Sequence, residues 1–203
     1  LDVQFDTIYH EHLSYFSLLS LERIFSAHEL LIFDVEKLPT HGGSLRIYLR
    51  HKGHSTTIIT KSIGEIIRQE KKAGLNRIDT YLAFNERVKT IKSELTACLV
   101  NLRHAGNVIA AYGAPAKGNT LLNYCRIKRD LIAFTVDKNP CKQGRYLPGS
   151  HIPVKSPYVI KQERPGYVLI LPWNLKDEIM EQMNFIREWG GKFIIPIPEL
   201  SVI

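Results

Sequence analysis

Tyr9-His10-Glu11-His12, flanked by Asp6 and Tyr15, is the densest cluster of ionisable side chains in the chain. A histidine titrates near neutrality, a neighbouring carboxylate can orient it, and a tyrosine hydroxyl can donate to a developing oxyanion, so the set suits acid–base chemistry. Two other readings stay open. An H-x-H pair can ligate zinc, although catalytic zinc usually takes a third protein ligand and no matching motif stands out. The same residues also suit a polar surface or interdomain stretch. In an extended strand His10 and His12 share one face and Tyr9 and Glu11 the other, whereas a turn brings all four together.

A second constellation is the segment from Gly113 through Ala114, Lys117, Gly118 and Asn119 to Thr120, between a predicted strand and a predicted helix. It matches neither the P-loop nor a clean G-x-G-x-x-G fingerprint. A glycine-bearing strand-to-helix turn still presents backbone N–H groups and a positive helix end to an anion, and Lys117 adds a full charge. The other reading is a tight turn with a solvated lysine. Asp137 ends the next predicted strand, about where a dinucleotide domain keeps its ribose acid, so NAD binding stays open. The loop from Asp137 to His151 carries Lys142 and Arg145, which can clamp a diphosphate or merely solvate the loop. Leu171-Pro172-Trp173-Asn174 ends another strand on the same predicted edge. There Trp173 suits either stacking on a ring or the core, and Asn174 can hydrogen-bond.

The elements that must position these residues follow from periodicity. Leu18, Leu21, Ile24 and Phe25 predict a helix over 14–29 with Ser17 as a plausible N-cap. Alternation of Leu31, Phe33 and Val35, turn residues from Pro39 through His41 to Gly43, and alternation of Leu45, Ile47 and Leu49 predict an antiparallel strand pair. A short helix is expected over 62–72. The apolar positions Phe84, Val88, Ile91, Leu95, Cys98, Leu99 and Leu102 then mark one helix over 79–104, roughly 35–40 Å long, closed by Gly106. Beyond it, strands over 108–112, 132–136, 167–171 and 193–195 alternate with helices over 119–127 and 175–189, which predicts a parallel sheet covered on both faces. The expected fold class is α/β: an N-terminal helix with an antiparallel strand pair, a long connecting helix, and a small Rossmann-like doubly wound sheet with ligands at the carboxyl ends of its strands. The expected domains are 1–60, a helical connector over 61–105, and 106–203.

Composition excludes several classes. The 203 residues are 44% hydrophobic and 23% charged, near the average for globular chains, and exclude disorder and fibrous repeats. A chain of this size hides roughly 70% of its unfolded surface without disulfides. Its three cysteines form no C-x-x-C pair, so a reducing cytoplasm is the expected setting. No signal layout or membrane-length apolar run is visible, and no membrane partner is expected. The net charge of +7 favours an anionic partner, but the basic residues are scattered, pointing to a small phosphorylated ligand rather than nucleic acid; plain solubility charge is the other reading. The sequence begins at Leu1 and its only methionines are Met180 and Met183, so a piece of a longer protein is expected.

Taken together, FDTIYHEHLSYFS, HGGSLRIY at 41–48, AAYGAPAKGNTLLNY, VDKNPCKQGRYLPGSHIPV, LPWNLKDEI and WGGKFIIPIP resemble, in order and over nearly the whole chain, the C-terminal half of the S-adenosylmethionine-dependent sugar C-methyltransferases. These act on nucleoside-diphosphate keto-deoxyhexoses. The resemblance implies a preceding cysteine-ligated zinc domain and a Rossmann domain for S-adenosylmethionine, neither within these residues, and no metal in this chain. It maps the family's catalytic segment onto Tyr9, Glu11 and His12: His12 abstracts the proton beside the ketone, Glu11 orients it, Tyr9 stabilises the enolate, and the carbanion attacks the sulfonium methyl. His10 is the less favoured base. For the doubly wound half it implies a grip on the nucleotide sugar, with Lys117, Asn119, Lys142 and Arg145 at the diphosphate and Gly113, Ala114, Gly118 and Asn174 around it. Two readings from other classes stand beside it: a non-catalytic module binding NAD(P) or coenzyme A, and a purely structural domain.

Overall fold

The computed structural model describes residues 3–40, 43–54 and 58–203. His41, part of the expected turn, lies outside them, as does residue 42. The chain divides into two compact units, one formed by Leu13–Asn85 and the other by 3–12 together with Glu86–Ile203.

In the first unit, helix α1 (Leu18–Ala27) begins at Ser17, whose Oγ accepts from the Ser20 N–H while Ser20 Oγ accepts from the Ser17 N–H. This reciprocal cap satisfies two otherwise orphaned donors and makes the helix shorter than the expected 14–29. The next two orphans, the N–H groups of Leu18 and Leu19, donate at 2.7 and 2.9 Å to the two carboxylate oxygens of Glu70. Strands β1 (Leu30–Leu38) and β2 (Ser44–His51) pair antiparallel. The alternation differs from expectation. A bulge between Ile32 and Asp34 lets Ile32 and Val35, three positions apart, both face inward, so Leu31 and Phe33 are only half-buried. Helix α2 (Lys61–Lys72) starts beside Asp34, whose Oδ1 accepts from Thr60 Oγ1 at 2.6 Å, Ser62 Oγ at 3.0 Å and the Val35 N–H at 2.8 Å. Leu18, Ile32, Val35, Ile63 and Ile66 form the core of this unit.

Helix α3 (Ile78–His104) carries the predicted apolar stripe, with Val88, Ile91, Leu95 and Leu99 buried, and Gly106 at φ +81° ends it as expected. In the second unit follow β3 (Ile109–Tyr112), α4 (Ala116–Cys125), β4 (Phe134–Val136), β5 (Val154–Lys155), α5 (Tyr158–Glu163), β6 (Tyr167–Ile170), α6 (Lys176–Gln182), β7 (Lys192–Ile195) and β8 (Ser201–Val202). The six strands lie in the order β5-β4-β3-β6-β7-β8, all parallel except β8. The fold is α/β, with a doubly wound sheet whose strands run outward in both directions from β3 and β6. Its central strands are buried, with Ile109, Ala110, Val136, Val168 and Ile194 fully inaccessible, which explains their unbroken apolar runs.

Two expected helices of the second unit also depart from expectation. α4 starts at Ala116 rather than Asn119, so Lys117, Gly118 and Asn119 belong to its first turns. The expected helix over 175–189 divides into a 3-10 turn (Trp173–Leu175), α6, and a second 3-10 turn (Asn184–Trp189). Met183 leaves helical geometry there, and Asn184 follows, a side chain that competes with the helical backbone.

Candidate functional site

The chain between 3 and 12 docks on the doubly wound unit. Val3 and Phe5 are buried, and Phe5 meets Tyr124 of α4 with ring centroids 5.1 Å apart. A 3-10 turn (Phe5–Thr7) breaks the strand alternation, so Asp6 is buried beside Phe5 instead of facing out, and is fully inaccessible. Its Oδ2 accepts at 2.7 Å from the indole N–H of Trp173, the residue after β6 that suited either stacking or the core and is itself only 7% exposed.

The four residues after Ile8 form a turn, closed by the His12 N–H donating to the Tyr9 carbonyl at 2.9 Å. Tyr9 and His12 are brought face to face, their ring centroids 4.4 Å apart and their planes 32° from parallel. His12 Nδ1 lies 2.9 Å from the carbonyl oxygen of Thr7; that oxygen can only accept, so Nδ1 carries the hydrogen and the neutral ring keeps its lone pair on Nε2. Glu11 lies on the outside of the turn, its Oε1 3.9 Å from His10 Nε2, both side chains well exposed.

The second group of residues sits where the loops after β3 and β6 diverge, the topological switch point of the sheet. Lys117 donates to Asn174 Oδ1, and its ammonium lies 4.3 Å from the Trp173 ring centroid. Burial holds the Lys117 ammonium below the ordinary lysine range, with the charge of Asp6 pulling it back up; burial likewise pushes the Asp6 carboxyl up, against the Trp173 bond and the Lys117 charge. Ala114 donates its N–H to Asp137 Oδ2 at 2.7 Å and accepts from Lys142 Nζ at 2.9 Å, which is also 3.5 Å from Asp137. Asn119 is half-buried on α4 with its Oδ1 enclosed and unbonded. Arg145 is exposed and is held by backbone bonds alone, to Lys142 and Val154.

The glycines of the turn are filled from inside the protein. A Cβ on Gly113, at φ +89°, would stand 2.7 Å from Pro172 Cδ, and one on Gly118 would stand 2.8 Å from Leu171 Cβ. They let the β3 and β6 loops and α4 approach closely, and this does not fit a cradle for a cofactor pyrophosphate. Asp137, the expected ribose acid, spends its carboxylate on Ala114, Asn139 and Lys142. Among the described residues no three His, Cys, Asp or Glu side chains gather in a way that could hold a metal ion. No helix of the described residues is long and apolar enough to cross a membrane.

In the sequence Asp6 stands out only as a flank of the ionisable cluster, with no role, and Thr7 does not stand out at all. The one signal was a carboxylate set between Phe5 and Ile8, and its partner Trp173 lies 167 positions away.

Comparison with known proteins gives two agreeing results. The chain is 38% identical over 200 residues to the "C-methyltransferase NovU" of Streptomyces niveus, an alignment covering 98% of this chain and 47% of that protein. The chain thus spans about half the length of the curated relative it matches. Residues 39–198, most of the chain and nearly all of the doubly wound unit after α3, match the family described as the C-methyltransferase C-terminal domain. On that match, which covers most of the chain, the chain belongs to the C-methyltransferase C-terminal domain family.

Proposed function

We propose that this chain is the part of an S-adenosylmethionine-dependent carbon methyltransferase that holds a nucleoside-diphosphate keto-deoxyhexose and takes the proton beside its ketone. Carbon accepts a methyl group only once it is nucleophilic, so a base must remove a neighbouring hydrogen while the enolate oxygen is stabilised. His12, through Nε2, is the base, and the Tyr9 hydroxyl donates to the enolate oxygen. Glu11 is assigned the orienting role from the resemblance alone, since its carboxylate lies 3.9 Å from His10 Nε2 and His12 Nδ1 is held by the Thr7 carbonyl; His10 is the less favoured base. The observation that carries this reading is the bond from His12 Nδ1 to the Thr7 carbonyl, with Tyr9 against the same ring, on a segment docked to the doubly wound sheet.

The diphosphate is assigned to the side chains of Lys117, Asn119, Lys142 and Arg145, with Ala114 and Asn174 beside them; Gly113 and Gly118, packed against Pro172 and Leu171, serve the close approach of the loops and are given no contact with it. Support comes from the position of Lys117 and Asn174 at the switch point and of Lys142 on Ala114. The methyl donor supplies the electrophilic carbon; no residue of this chain is assigned to it, nor is any assigned to zinc. The same filled glycines and engaged Asp137 weigh against a non-catalytic module for NAD(P) or coenzyme A.

In the complete protein, His12→Ala should lower methyl transfer by about 10² to 10⁴ with little loss of sugar-nucleotide affinity. Lys117→Ala should weaken binding of thymidine diphosphate measured by calorimetry. Near-normal turnover in the first variant, or unchanged affinity in the second, refutes the corresponding assignment.

A further inference from the structure

Trp173 is held from two sides by opposite charges. Its N–H edge, the positive rim of the indole, meets Asp6 Oδ2 at 2.7 Å, and its electron-rich face carries the Lys117 ammonium 4.3 Å from the ring centroid. The arrangement places a fully inaccessible carboxylate at the N–H edge of the ring and a half-buried cation over its face, just beyond the end of β6. The second carboxylate oxygen, Oδ1, is buried and makes no well-formed hydrogen bond among the described residues.

A buried carboxylate is an expensive way to hold an indole, since the amide oxygen of an asparagine would accept the same hydrogen bond without the desolvation of a charge. The charge therefore answers to something other than Trp173. The groups facing the Asp6 carboxylate are the Trp173 indole, the Lys117 ammonium on α4 and the backbone N–H groups of Asp6 itself and of Thr7. Those facing Lys117 are Asp6, the Trp173 ring and the Asn174 amide oxygen. The Trp173 bond and, after it, the Lys117 charge counter the burial of Asp6, and the Asp6 charge counters that of Lys117.

We propose that Asp6 is a positioning residue of the crevice, a buried carboxylate that fixes Trp173 and keeps the Lys117 ammonium charged and in place for an anionic ligand. The claim rests on the reading that Lys117 takes the diphosphate. By this account the loop that carries the proton-abstracting turn also sets the electrostatics of the diphosphate edge.

Asp6→Asn isolates the charge, because it retains the acceptor for Trp173 and should leave the melting temperature at neutral pH no lower than before. The first readout needs no ligand. Lys117 is followed by nuclear magnetic resonance of the ¹³C-dimethylated protein, its signal assigned with Lys117→Arg. In Asp6→Asn the midpoint of that titration should fall by about one pH unit, the lower end of what an opposite charge contributes. An unmoved midpoint overturns the proposal.

The second readout is thymidine diphosphate affinity as a function of alkaline pH. Its loss should begin at lower pH in Asp6→Asn and reach roughly tenfold above both midpoints. In the Lys117→Arg background, whose guanidinium stays charged, the shape of the pH profile should be the same with and without Asp6→Asn. A profile that still moves in that background overturns the proposal. Failure of the unaltered protein to bind thymidine diphosphate refutes the diphosphate assignment, while the Lys117 titration continues to decide the role of Asp6.

Discussion

His12 Nδ1 lies 2.9 Å from the carbonyl oxygen of Thr7, five positions earlier, and this single contact decides which ring nitrogen can take a proton. Free histidine in water favours the hydrogen on Nε2; the Thr7 carbonyl reverses that preference. ¹⁵N resonance of the neutral imidazole should show a protonated Nδ1 and an unprotonated Nε2. The opposite pattern would remove the geometric basis for His12 as the base.

Glu70 should matter to the first unit out of proportion to its half-exposed position. It closes the amino end of α1 with two charge-assisted bonds, at 2.7 and 2.9 Å. Bonds of this kind contribute about 1.5–3 kcal/mol each at most, and cap deletions typically cost about 0.5–2 kcal/mol. Glu70→Ala should lower the stability of this unit by about 1–2 kcal/mol in urea unfolding, and Glu70→Gln by less, because the amide oxygen keeps one acceptor. Equal stability of the alanine variant contradicts this account of the cap.

Asp34 gives the first unit a specific acid response. Its bonds from Thr60, from the Val35 N–H and from Ser62 hold its carboxyl below the ordinary value of 3.8. A carboxyl lowered in the folded state contributes stability that is present above its unfolded value and is lost as pH falls through the folded one. Amide exchange of α2 should therefore accelerate as pH drops below about 3.8, after correction for intrinsic exchange. Asp34→Asn should flatten that dependence; an unchanged slope assigns the acid sensitivity elsewhere.

Gly118 sits against Leu171, and a methyl group there would stand 2.8 Å from its Cβ, an atom tied to the backbone. Alanine gains about 1 kcal/mol of helix propensity over glycine, but overpacking costs about 1–3 kcal/mol, so Gly118→Ala should be net destabilising. A melting temperature at or above that of the unaltered protein would show that the α4–β6 approach has slack.

The sequence revealed elements wherever an apolar pattern was long enough to count. The stripe on α3 and the four core strands of the sheet were legible, because Ile109, Val136, Val168 and Ile194 sit in unbroken buried runs. β5 and β8, two residues each, are too short to have a period, and α5 is a six-residue helix without one. The inward pair Ile32 and Val35 was hidden by a bulge, which shifts alternation by one position and leaves no local mark. At the candidate site, residue types pointed to His12 and Lys117, but the partners that tune them did not show. Thr7 acts through its backbone carbonyl, and Asp6 acts across 167 positions on Trp173, a residue whose own reading stayed divided between ligand stacking and core.

The most direct test of the central claim follows the proton itself. The complete protein is incubated with a nucleoside-diphosphate keto-deoxyhexose, the proposed substrate class, in deuterium oxide, with S-adenosylhomocysteine in place of the methyl donor. Deuterium should enter the carbon beside the ketone in the unaltered protein, and its rate should fall by about 10² to 10⁴ in His12→Ala. Exchange at an undiminished rate in that variant would contradict the assignment of His12 as the base.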